Sequence, residues 1–214
     1  MKPYLTILLL IIFFNAVEAQ SRQCECTTDP SIANVVNCNI RKLKNGAELY
    51  YQFNCDSVWL TLKTTNERKH ILYLMKGKTY KELFGYTFRL GYNFCHEFDK
   101  YLLFRNACPA NGPCNFTLVN KTTGKIFKEL GELIYDHKTN KFYDFILYLS
   151  DKSKQKLVIY YPDKNKKYFI SLNNFDSRGY APEYDFDEVG VQNNILTLRY
   201  PNHFKKVNLS RYPQ

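Results

Sequence analysis

The densest set of reactive side chains in the sequence is Cys95-His96-Glu97-Phe98-Asp99. A thiol beside an imidazole is the raw material of a cysteine nucleophile, which needs a base within reach and a positive setting that favours the thiolate. Adjacent residues on a strand point to opposite faces, so His96 is badly placed to activate Cys95. The second set is Glu183-Tyr184-Asp185-Phe186-Asp187-Glu188. Written as a strand, it puts Glu183, Asp185 and Asp187 on one face. Several carboxylates together suit calcium. They also suit a glycosidase acid and base, whose carboxyls stand about 5–9.5 Å apart across the substrate. One segment rarely supplies both in opposed positions, so a solvated strand edge is the plainer account. A hydrolase reading rests on His96, Asp185, Asp187 and Glu188.

Other chemistry lacks its signatures. The histidines are His70, His96, His137 and His203, and none forms H-x-x-x-H or H-E-x-x-H. There is no Gly-rich phosphate loop and no G-x-S-x-G, and nine glycines leave little material for nucleotide-binding loops. Cys24-Glu25-Cys26 with Cys38 has C-x-C spacing, which fits structural zinc poorly. No catalytic residue, cofactor or metal site is expected from motifs.

The seven cysteines instead read as cross-links. The sequence opens with Lys2, an apolar run from Leu5 to Phe14, and then Ala16-Val17-Glu18-Ala19, the pattern of a cleaved secretory signal. The run is shorter than the roughly 20 residues a membrane span needs. Residues 1–19 are therefore expected to be a signal peptide, and residues 20–214 a single disulfide-containing β domain in a secreted or periplasmic protein. No later segment has membrane-spanning length. Disulfides are the first expectation outside the cytosol, and an odd count leaves one thiol over. Cys108-Pro-Ala-Asn-Gly-Pro-Cys114 is the best local ring, with Asn111-Gly112 favouring a tight turn. Closing so short a ring contributes roughly 2–3 kcal/mol on the chain-entropy account.

The elements that must hold these groups are strands. Short apolar or aromatic runs alternate with Asn, Asp, Gly and Lys along the whole chain. Asn45-Gly46 marks a hairpin between Ile40–Leu43 and Leu49–Phe53. Further strands are expected at 58–62, 70–75, 86–94, 100–105, 115–119, 142–149, 156–161, 167–172 and 194–200. Turns fall at 120–124, 136–140 and 162–165. Helical evidence is limited to short turns at 78–84 and 126–133, the second interrupted by Gly131.

Four segments resemble one another: Tyr51–Leu62, Tyr92–Phe104, Tyr135–Tyr148 and Tyr184–Leu198. Each is a Tyr, a polar stretch and an apolar strand, and the strands recur at roughly 43, 44 and 50 residues, a blade-like period. The expected fold is thus all-β, an antiparallel sandwich or barrel built from hairpins, with a four-unit blade-like β repeat as the alternative. In that echo Cys55 and Cys95 occupy similar places, so a Cys55–Cys95 bridge is the second expected pairing. Cys24, Cys26 and Cys38 then supply one further bridge and the spare thiol.

A formal charge of +10 describes a basic, lysine-rich surface, and the 18 tyrosines suit half-buried strands first and binding faces second. The lysines are spread along the sequence, mostly over the expected turns, whereas a polyanion-binding protein gathers them on one face or helix, so the sequence gives no strong nucleic-acid signal. The expected function is non-catalytic binding of an extracellular protein, a glycan or an anionic surface. The alternative is a small extracellular hydrolase acting through the acidic residues or His96.

Overall fold

The structure is a computed structural model that describes residues 38–53, 57–77, 91–108, 113–150, 153–172, 175 and 182–212. The expected signal peptide, Cys24, Cys26, Cys55 and the 78–84 turn lie outside these residues. Among the described residues the regular structure is β strand with three single-turn 3-10 segments.

The strands form four sheets in order of sequence. The first contains β1 (Arg41–Lys42), β2 (Glu48–Phe53), β3 (Ser57–Lys63) and β4 (Lys69–Lys76). The second contains β5 (Asn93–Glu97), β6 (Tyr101–Asn106), β7 (Asn115–Asn120) and β8 (Ile126–Gly131). The third contains β9 (Ile146–Ser150), β10 (Ser153–Tyr161) and β11 (Lys166–Ser171). The fourth contains β12 (Glu188–Gln192), β13 (Ile195–Tyr200) and β14 (His203–Asn208). Every neighbouring pair is antiparallel. Among the described residues no sheet closes into a barrel, so the all-β antiparallel expectation holds in its layered form.

The turns follow their residues. Gly46 has φ +83, Leu43 N–H donates to Ala47 O, and the Asn45 side chain accepts from Ala47 N–H, completing the expected hairpin. Asn193 and Asn194, both at positive φ, join β12 to β13 in a two-residue loop. In the 120–124 turn, Asn120 Oδ1 accepts from the Thr122 and Thr123 amides, and Gly124 has φ +65. A Cβ at Gly124 would stand 2.5 Å from His70 Cβ, so the second sheet's turn approaches β4 as closely as a bare backbone permits.

The core is three apolar layers, each shared by consecutive sheets. Leu49, Leu60 and Leu62 meet Leu102, Phe104 and Val119 between the first and second sheets. Leu103, Phe116 and Leu118 meet Ile146, Val158 and Tyr160 between the second and third. Leu157, Ile159 and Ile170 meet Val189, Leu196 and Leu198 between the third and fourth. Alternate residues of β6 and β10 therefore enter different layers. This is why Leu102-Leu103-Phe104 and Leu157-Val158-Ile159-Tyr160 are unbroken apolar runs with no polar alternation.

One charged pair is built into the stack. Lys121 Nζ lies 2.8 Å from Glu97 Oε1, with side chains only 3% and 12% exposed. The same oxygen accepts the Lys44 amide at 2.8 Å. Glu97 thus joins the hairpin turn of the first sheet to the β7–β8 turn of the second.

Several expectations are corrected. Residues 126–131 form β8 and not a helical turn: Leu118 pairs with Lys128 and Phe116 with Gly131, and two register shifts absorb the glycine at φ +68. The strand expected over 86–94 begins, within the described residues, at Asn93 and runs to Glu97. The four similar segments fall one to each sheet, with β3, β6, β9 and β13 as their apolar strands. These rank third, second, first and second in their sheets, so the likeness does not superimpose equivalent strands. The outer strands β4, β8, β11 and β14 carry exposed Ile71 and Leu74, Ile126 and Phe127, Phe169, and Phe204. All four also carry lysines, which discourage edge-to-edge pairing.

Candidate functional site

The acidic stretch does not form the expected strand. Pro182–Asp185 is a 3-10 turn, since proline presets the φ of a first helical position. Phe186 follows, fully buried and stacked on Phe175 at 5.3 Å and edge-on to Tyr200 at 5.8 Å. With Phe186 as the anchor, Asp185 is buried and Asp187 and Glu188 are exposed. The Glu183 side chain lies outside the described residues.

Asp187 precedes and Glu188 opens β12, beside Arg199 of β13. Asp187 N–H donates to Arg199 O at 2.8 Å, and Glu188 is the register partner of Arg199. Arg199 Nε stands 3.5 Å from Glu188 Oε2. From the 136–140 turn, Lys138 Nζ donates to Asp187 O at 2.9 Å. That turn is fixed by Asp136, whose carboxylate accepts the Thr139 hydroxyl at 2.6 Å and the Lys138 amide at 3.0 Å. These bonds, led by the Thr139 hydroxyl, hold the Asp136 carboxyl below its ordinary pKa.

The result is a groove across the end of the fourth sheet. One depression, about 420 Å³, is lined by Asp136, Lys138, Asp187, Glu188, Val189 and Arg199. The adjoining one, about 500 Å³, shares Asp187 and Arg199 and adds Tyr200, Asn202, His203 and Phe204. Charges of both signs occupy one end and aromatic rings the other. Arg199 also faces the Phe204 ring at 5.9 Å.

His96 and Asp185 do not join this groove. His96 rests edge-on against Phe98 at 4.7 Å, within reach of the second layer, and its Nε2 is 3.5 Å from Asp144 Oδ1. Burial lowers the imidazole pKa, with Asp144 opposing the shift. Cys95 is free, and burial pushes its thiol up to about 11 against the opposing pull of Arg105. Desolvation thus moves thiol and imidazole toward their neutral forms, opposite to what a thiolate–imidazolium pair requires. Iodoacetamide at about pH 8 is expected to leave Cys95 unmodified in the native protein and to label it on denaturation, as read by mass spectrometry. Rapid native labelling at Cys95 would contradict this burial.

The cysteine expectations divide. Cys108 and Cys114 are disulfide-bonded. Cys38 is disulfide-bonded to a partner outside the described residues. The Cys55–Cys95 bridge is not formed. Cys95 is a free thiol packed against the layer facing the third sheet, and Cys55 lies outside the described residues.

Among the described residues, no three His, Cys, Asp or Glu side chains gather as a metal-ligand set. Because Pro182–Asp185 is a 3-10 turn, Asp185 is buried and Asp187 exposed, so these two carboxylates do not share the strand face on which the calcium expectation rested. Reading the chain in segments missed Asp136, Lys138, Arg199, His203 and Phe204. One signal was present: a two-residue loop at Asn193-Asn194 sets the register that puts Glu188 opposite Arg199. No family model, curated protein or solved structure matches the chain.

Proposed function

We propose that the protein is an exported, non-catalytic binding protein whose fourth-sheet groove receives a mixed-charge segment of an extracellular protein. The observation that carries this reading is the lining of the groove, where Asp136, Asp187 and Glu188 interleave with Lys138 and Arg199 and end on Tyr200 and Phe204. Three carboxylates repel a polyanionic glycan or membrane surface, whereas a peptide carrying both signs and an aromatic residue pairs with each part. The N-terminal apolar run and the disulfides support placement outside the cytosol.

The test is capture of extracellular proteins from the natural source on the immobilised 20–214 chain, compared with Arg199→Glu and Asp187→Lys. A specific partner is expected to bind the wild type and to weaken by about tenfold or more with either reversal, the scale of a lost charge-assisted contact. Partners held equally by wild type and both reversals would remove the groove from the account. Natural protein retaining Met1 would remove export. A hydrolase reading draws on the same groove, where Asp187 and His203 line one depression. Turnover of an extracellular polymer that is lost with Asp187→Asn and His203→Gln would favour it.

A further inference from the structure

We infer that Lys128 of β8 and Lys167 of β11 form a binding site for a tetrahedral oxyanion, phosphate or sulfate, at the outer rim of the seam between the second and third sheets. This site is separate from the fourth-sheet groove and rests on different residues.

Register aims both lysines into the seam. Cross-strand partners share a face of their sheet. Lys128 pairs with Leu118 and Lys167 with Tyr160, and both Leu118 and Tyr160 belong to the second apolar layer. The two cations, from different sheets, converge on one aromatic ring. Lys128 Nζ stands 4.3 Å from the Tyr160 centroid, and Lys167 Nζ 5.9 Å from it and 5.9 Å from that of Tyr148. Each ammonium group is within electrostatic reach of the other.

Charge balance at this point is incomplete. Two ammonium groups gathered on one ring repel, and among the described residues neither forms an ion pair with a carboxylate. Asp163, the acidic group whose charge reaches Tyr160, is engaged elsewhere: its carboxylate accepts the Asp99 amide at 2.9 Å and the Lys100 amide at 2.7 Å. The Tyr160 hydroxyl donates to Asn165 Oδ1 at 2.9 Å, which leaves the ring face to the cations. Burial lowers the pKa of Lys128, and its neighbour Lys167 lowers it further, while contact with the Tyr148 hydroxyl raises that of Lys167. Lysines placed only to guard a sheet edge would point apart into water. These two are drawn together over an aromatic floor, where a divalent anion accepts hydrogen bonds from both and removes their repulsion.

The experiment is a titration of the intact protein, with lysine side-chain NMR shifts as the readout. Sodium phosphate, sodium sulfate and sodium chloride are compared at about pH 7 and constant ionic strength. Saturable shifts at Lys128 and Lys167 are expected with phosphate or sulfate, about tenfold tighter than with chloride. Lys128→Met and Lys167→Met, which keep the aliphatic stem, should each weaken oxyanion binding by about tenfold. Lys167→Arg should retain it, and Lys205→Met on β14 should leave it unchanged. A preference for sulfate over phosphate, or the reverse, identifies the ester class the site selects. Non-saturating shifts, equal response to chloride, or unchanged affinity in Lys167→Met would overturn the inference. Lys167 is exposed, so its variant tests the site even if Lys128→Met misfolds.

Discussion

Glu97→Ala is expected to destabilise the protein by about 3–5 kcal/mol, the cost of leaving a buried charge without its partner. Lys121 is almost fully enclosed, and Glu97 Oε1 is the oxygen that meets its ammonium. Removing the carboxylate leaves that cation in an apolar setting where water replaces it poorly. Lys121→Met should cost a comparable amount, because Glu97 then keeps only the Lys44 amide. The double variant Glu97→Leu/Lys121→Met should lose less than about 2 kcal/mol, since a buried pair replaced by hydrophobic groups of similar volume is often nearly neutral. The Lys44 amide is exposed and finds water. Urea unfolding with an unchanged slope measures all three. Single variants that each cost under about 1 kcal/mol would show that the pair behaves as a surface ion pair.

Leu102→Ala and Leu103→Ala should both destabilise by about 2–5 kcal/mol, although the residues are adjacent on one strand. In a sheet with one solvated face, one of two neighbours is cheap to truncate. Here Leu102 enters the layer against the first sheet and Leu103 the layer against the third, and both are fully enclosed. Each truncation opens a cavity in a different layer. Phe169→Ala is the control: its side chain is 61% exposed on β11, and its loss should stay within about 0.5 kcal/mol. A large cost at one leucine and none at the other would mean that the second sheet is covered on one face only.

The sequence made the inner strands legible and the outer ones obscure. Leu102-Leu103-Phe104 and Leu157-Val158-Ile159 announce themselves because both faces of β6 and β10 are buried. β14, with His203-Phe204-Lys205-Lys206, hides because an edge strand pairs on one side only and carries lysines. β8 hides for the same reason, with Glu129-Leu130 imitating a helical turn. The Asn45-Gly46 hairpin and the Cys108–Cys114 ring were legible because each closes over a few residues.

The groove was half legible. Asp187 and Glu188 stand out as acidic residues, but their direction depends on Phe186 turning inward, a tertiary fact. Arg199 reaches Glu188 through register, and Lys138 reaches Asp187 from another turn. His96 stands apart because Asp144, its nearest acidic neighbour, comes from the chain entering β9. No local pattern encodes that meeting.

The order of the sheets has one further consequence. Among the described residues, each sheet is completed by strands consecutive in sequence before the next begins, so none of these strands waits for a hydrogen-bonding partner from a distant part of the sequence. A polypeptide emerging N-terminus first can seat one layer upon the last as it appears. Pairings between near neighbours in sequence also keep the entropic barrier to assembly low.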